Sequence, residues 1–128
     1  MMSRLTTPLY TVTERLAEGE DITFRLRLDA GSQILSAHFP GNPIMPGACM
    51  VQTAVRLAAD ATKKRLRLTQ IRTAKFLATV SPDAVATVDY TLTHISADGE
   101  TLSFNATVRC GSTINAKMSL RCKILQEI

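Results

Sequence analysis

The stretch "HFPGNPIMPG", residues 38–47, runs without a break into "ACMVQTAVRLAAD", residues 48–60. Prolines at 40, 43 and 46 stiffen the first part, and Gly41 and Gly47 let another backbone or a ligand come close. The second part reads as a helix over Gly47–Lys63. Pro46 suits its start, where a missing N–H costs nothing. Ala48, Cys49, Val51, Ala54, Val55, Leu57, Ala58 and Ala59 make that helix apolar nearly all round, so something must wrap it.

The flanking sequence supplies the wrapping. In "ITFRLRLD", residues 22–29, apolar and polar residues alternate with the period of a strand that has one buried face. The same period places Ala86, Val88, Tyr90, Leu92 and His94 on one face, then Leu102 to Cys110, then Ile114 to Ile124. The turns "ADGE" and "CGST" are short and contain glycine, so these three strands form an antiparallel meander. A shorter strand is expected near Thr73–Val80 and another near Tyr10–Leu16. The predicted architecture is α+β: one curved antiparallel sheet around one central helix.

Composition bounds the rest. A chain of 128 residues with 45% hydrophobic residues suits a single domain with a real core. No run is apolar enough to span a membrane, and "MMSRLTTPLY" lacks the apolar stretch of a secretory leader, so a cytoplasmic location is expected. Cys49, Cys110 and Cys122 show no CxxC spacing, which argues against zinc and for buried thiols. Cys49 has no histidine base nearby in sequence, which argues against a nucleophilic role. The net charge of +4 is partly gathered in "KKRLR", residues 63–67. Without interleaved aromatics that run does not suggest nucleic acid; a solvated helix end with the strand after it, or a contact for an acidic protein, fits better.

The loop itself has a chemistry. A helix start presents N–H groups and a partial positive charge, so the amides near Gly47 can stabilise a thioester oxygen becoming an enolate. A neutral imidazole at His38 can take the proton from the adjacent carbon. The alternative on residue types alone is a proline-braced crossover with a histidine tucked beneath it.

"HFPGNPIMPG" resembles the signature loop of the beta-hydroxyacyl-acyl carrier protein dehydratases, and "KFLATVSPD", residues 75–83, is similar to that family's strand and turn after the helix. The resemblance implies the hot-dog fold and a homodimer, or a higher oligomer or heterodimer with a homologue. It also implies an acyl chain carried on phosphopantetheine, from acyl carrier protein or coenzyme A, with no metal or organic cofactor. By position, His38 becomes the catalytic histidine and Gly47 the glycine whose N–H meets the thioester carbonyl. Phe39, Met45 and Arg56 are further candidate substrate contacts; the alternatives are a carboxylate partner at the helix surface for Arg56 and a core position for Met45. The family's catalytic carboxylate lies fourteen residues after its histidine, and the residue there is Gln52. The expected activity is dehydration of a 3-hydroxyacyl thioester. The amide at position 52 leaves two alternatives open: a non-catalytic hot-dog subunit that binds carrier protein or an active homologue, and an acyl thioesterase.

Overall fold

The computed structural model describes residues 9–29, 45–81 and 87–127. In chain order the elements are β1 (Tyr10–Glu18), β2 (Asp21–Leu28), α1 (Gly47–Thr62), β3 (Lys64–Phe76), β4 (Thr87–Asp98), β5 (Thr101–Cys110) and β6 (Thr113–Glu127). The strands form one six-stranded sheet in the order β1-β2-β4-β5-β6-β3. Every pairing is antiparallel. The sheet curves around α1, which is the hot-dog arrangement expected from the sequence. No helix among the described residues is long and apolar enough to cross a membrane.

The alternation seen in sequence becomes the core. Phe24 and Leu26 on β2 lie opposite Tyr90 and Val88 on β4, and all four are buried. Phe104 on β5 lies opposite Leu120 on β6, both buried against the same interior. Burying each such side chain fully contributes about 1.5–3 kcal/mol. The helix inserts Met50, Val51, Ala54, Val55, Leu57 and Ala58 into this space. Tyr90 adds a polar tie: its buried hydroxyl donates to the carbonyl of Met50 at 3.2 Å. Burial holds the Tyr90 phenol well above its ordinary range, so it stays a donor.

Four expectations need correction. The strand placed near Thr73–Val80 is β3, Lys64–Phe76, because Leu66 and Leu68 alternate with Arg65 and Arg67 and continue the period upstream. Residues 77–80 lie beyond its end. The helix is not apolar all round: Ala48, Gln52, Arg56 and Asp60, each one turn from the next, form an exposed stripe. It ends one residue early, with Lys63 in the left-handed region at φ 57° as its cap. His94 does not continue the apolar face of β4. A bulge between Thr93 and Ser96 places His94 at φ 52°, exposed, with Nδ1 3.2 Å from the Thr93 hydroxyl.

Candidate active site

The first turn of α1 is built to leave its N–H groups available. Pro46 is the N-cap and makes no side-chain capping bond, and no acidic residue sits in the first turn. Two cavities meet at this helix start. One, of about 430 Å³, is lined by Met45, Pro46, Gly47, Met50, Phe76, Leu77, Ala78 and Thr79. The other, of about 300 Å³, lies between α1 and β3 and is lined by Gly47, Ala48, Val51, Gln52, Leu68, Ile71, Ala74 and Phe76. Among the described residues neither is lined by a charged side chain, and each has one polar side chain, Thr79 or Gln52.

The backbone leading to Gly47 is fixed from outside the loop. Met45 is buried and donates its N–H to the Val80 carbonyl at 2.8 Å. The segment before Val80 is fixed in turn by Asn115, which is buried. Asn115 Nδ2 donates to the Thr79 carbonyl at 3.1 Å, and its Oδ1 accepts from the Cys110 N–H at 3.0 Å. Its own carbonyl accepts from the N–H groups of Leu77 at 2.8 Å and Ala78 at 3.2 Å. Asn115 can do this because the β5–β6 register shifts beside it, between Val108 and Arg109. Through residues 77–80, the last strand therefore positions the helix start.

The structure brings some of the candidate residues together. Met45 and Gly47 share the first cavity, and Gly47 and Gln52 share the second. The Gln52 carboxamide is exposed and makes no hydrogen bond among the described residues. Arg56 lines neither cavity; it lies where its charge is felt by Tyr10. His38 and Phe39 lie outside the described residues. The basic run is remote from the helix start: Lys63 caps the far end of α1, roughly 24 Å away at 1.5 Å per residue. Burial pushes the Cys49 thiol up, which disfavours a thiolate nucleophile there. Among the described residues no group of three or more histidine, cysteine, aspartate or glutamate side chains could hold a metal.

Two residues that matter were not singled out from sequence. Phe76 was read only as part of a strand, yet a Cβ built on Gly47 would lie 3.0 Å from its Cζ. A side chain at position 47 would therefore require the ring to move by a few tenths of an ångström. Asn115 had a weak signal, an amide at the start of an otherwise alternating strand.

A family profile describing the ApeI dehydratase matches residues 14–118. The chain belongs to the ApeI-like dehydratase family. Among curated relatives, the 3-hydroxyacyl-[acyl-carrier-protein] dehydratase FabZ of Levilactobacillus brevis is 26% identical over 113 residues, covering 83% of this chain and 72% of that enzyme. The FabZ of Ligilactobacillus salivarius is 29% identical over 89 residues, covering 64% of each chain, so the match spans just under two thirds of that relative. Among solved structures, the dehydratase heterocomplex ApeI:P from Xenorhabdus doucetiae superposes with a TM-score of 0.71 at 16% identity, covering 89% of this chain and 97% of that one. The fluoroacetyl-CoA thioesterase FlK superposes with a TM-score of 0.63 at 18% identity, covering 88% and 90%. At these identities the structural likenesses establish the hot-dog fold, which dehydratases and thioesterases share.

Proposed function

We propose that this family member removes water from a 3-hydroxyacyl thioester to give the trans-2-enoyl thioester. The observation that carries this reading is the uncapped helix start at Gly47, which opens onto two apolar cavities with Gln52 on the wall of one. The thioester carbonyl accepts from the first-turn N–H groups, which stabilise the enolate oxygen as it forms. His38 takes the proton from the carbon next to the carbonyl. The electron pair left on that carbon expels the hydroxyl from its neighbour. A carboxamide has no proton to give at neutral pH, so His38 returns its own proton to the departing hydroxyl, and water leaves. Gln52 donates an N–H hydrogen bond that orients that hydroxyl.

The carrier in this reading is an acidic acyl carrier protein, and the working unit is a dimer in which His38 of one subunit approaches Gln52 of the other. The name of the ApeI:P heterocomplex supports assembly in this family. A second reading, a non-catalytic subunit, is favoured by Gln52 itself, because the position lacks an acid.

The test is to incubate the protein with 3-hydroxyacyl carrier-protein substrates and follow the products by mass spectrometry. Loss of water supports the proposal, loss of the acyl group indicates a thioesterase, and binding without change indicates the non-catalytic subunit. His38→Ala should abolish dehydration. Gln52→Glu should raise it roughly ten-fold or more, the scale of a restored general acid. Burial of position 52 by the second subunit of the proposed dimer would favour the protonated carboxyl that this role needs. A fall in rate on Gln52→Glu would show the amide to be the working group.

A further inference from the structure

Among the described residues the two cavities at the helix start have only Gly47 and Phe76 in common. Gly47 contributes backbone alone, so among the described residues Phe76 is the side chain that borders both. It rests against the helix start, with its Cζ, Cε2 and Cε1 at 3.0, 3.2 and 3.3 Å from a Cβ built on Gly47. It is also 51% exposed, so the interior does not lock it in place. Behind it on one side lie Met45, Met50 and Leu77, and on the other Val51, Leu68 and Ile71. Both walls are therefore suited to a hydrocarbon tail.

We propose that Phe76 sets the length of acyl chain the site accepts, by closing the passage between the two cavities. The inference rests on the thioester reading above and adds a specificity-determining residue to it. A tail seated in one cavity gains affinity with each methylene until it meets the ring. Beyond that length, further carbons must displace the ring or stay in water. Removing the ring joins the cavities of about 430 and 300 Å³ into one space.

The test uses saturated acyl-pantetheine amides of increasing length, which keep the thioester's shape but cannot react. Their affinities for the full chain and for Phe76→Ala are measured by calorimetry. In the parent, affinity should rise about four-fold per methylene, the value for burying one CH₂, and then stop rising at a defined length. In Phe76→Ala that break should move several carbons outward, with affinity for short chains little changed. Phe76→Leu, which keeps apolar bulk and guards against misfolding of the alanine variant, should place the break between the two. Ala74→Leu, which narrows the groove beside Gln52, should move it inward. Breaks at the same length in the parent and both Phe76 variants would overturn the partition and leave the thioester reading standing. Failure of the parent to bind any acyl amide would overturn both.

Discussion

The two edges of the sheet are finished differently. At β1 the ladder is interrupted by a bulge between Val12 and Glu14, and Glu14 and Arg15 are in ion pairs. Glu14 lies 3.4 Å from Arg25, and Arg15 lies 3.6 Å from Asp60 on the helix while its guanidinium sits 5.5 Å from the centre of the Phe24 ring. Such pairs contribute little stability, about 0–1 kcal/mol each, but they break up the template that an open strand offers. At β3 the edge runs for 13 residues. Its helix-facing side exposes Ile71 and Phe76, and Leu77 follows beyond its end. Its outer side sets Arg67 opposite Lys123 and Lys75 opposite Lys117, and none of the four is paired with a carboxylate among the described residues. Like charges directly opposed on a sheet are mildly unfavourable. Both edges expose apolar side chains, Val12 and Leu16 on β1 and Ile71 and Phe76 on β3. What differs is that β1 carries a bulge with Glu14 and Arg15 in ion pairs, whereas Arg67 and Lys75 of β3 face cations of β6.

That contrast is sharpest in assembly. Ile71→Lys on β3 should convert a dimer at micromolar concentration into a monomer in light scattering, and dehydration should fall with it. Leu16→Lys on β1, at a residue that is equally exposed, should leave the mass unchanged. If both variants remain dimeric, the second copy does not sit on β3.

A smaller effect is expected inside the β3 side. Asn115→Leu leaves the Thr79 carbonyl and the Cys110 N–H without their partner, which costs roughly 1–3 kcal/mol in chemical denaturation. Thr23→Val, which removes a hydroxyl pair at 3.0 Å between β2 and β4 near the other edge, should cost about 1 kcal/mol or less. Equal losses would mean that the Asn115 contacts are no more than ordinary sheet polarity.

The outer charges give a smaller and salt-dependent signal. Reversing Lys75 and Lys117, which neighbour Phe76, should weaken carrier-protein binding several-fold at low salt and less at high salt. Reversing Arg67 and Lys123, toward the far end of the helix, should change it less. Identical losses would point to long-range attraction by net charge.

The weakest prediction concerns pH. Cys122 on β6 faces Leu68 of β3, and burial pushes its thiol from 9.0 to about 11. Between those values the unfolded thiol has lost its proton and the folded one has kept it. The folded state then binds more protons, so stability falls as pH rises from about 9 toward 11. The fall is at most about 1.4 kcal/mol per pH unit for one thiol. Cys122→Ala should flatten that part of a pH series of denaturation midpoints.

Much of this was legible in the sequence because it rests on local pattern. The period-2 runs over Asp21–Leu28 and Thr101–Cys110 and the short glycine turns are properties of neighbouring residues, and the sheet follows from them. A strand after the helix end at residues 63–67 was legible, but its continuity with the segment near Thr73 was not, because bulges at Leu68/Gln70 and Ile71/Thr73 break the alternation between them. His94 was misplaced because a bulge changes the phase of alternation without any mark in the residue types. The cavities were out of reach for a different reason. Gly47, Phe76 and Asn115 meet only when strands distant in sequence come together, and no local pattern encodes that meeting.

The Asn115 contacts also bear on the order in which the molecule matures. β6 is the last strand in the chain, yet it holds residues 77–79, whose neighbour Val80 accepts from Met45 two residues before the helix start. During synthesis β1, β2, β4 and β5 can emerge and pair while β6, the strand partner of β3 and the source of that anchor, is still missing. Binding competence then comes at the end of folding rather than with that pairing. Slow exchange of the Leu77 and Ala78 amide hydrogens would report the docking of β6 and the completion of the site as one event.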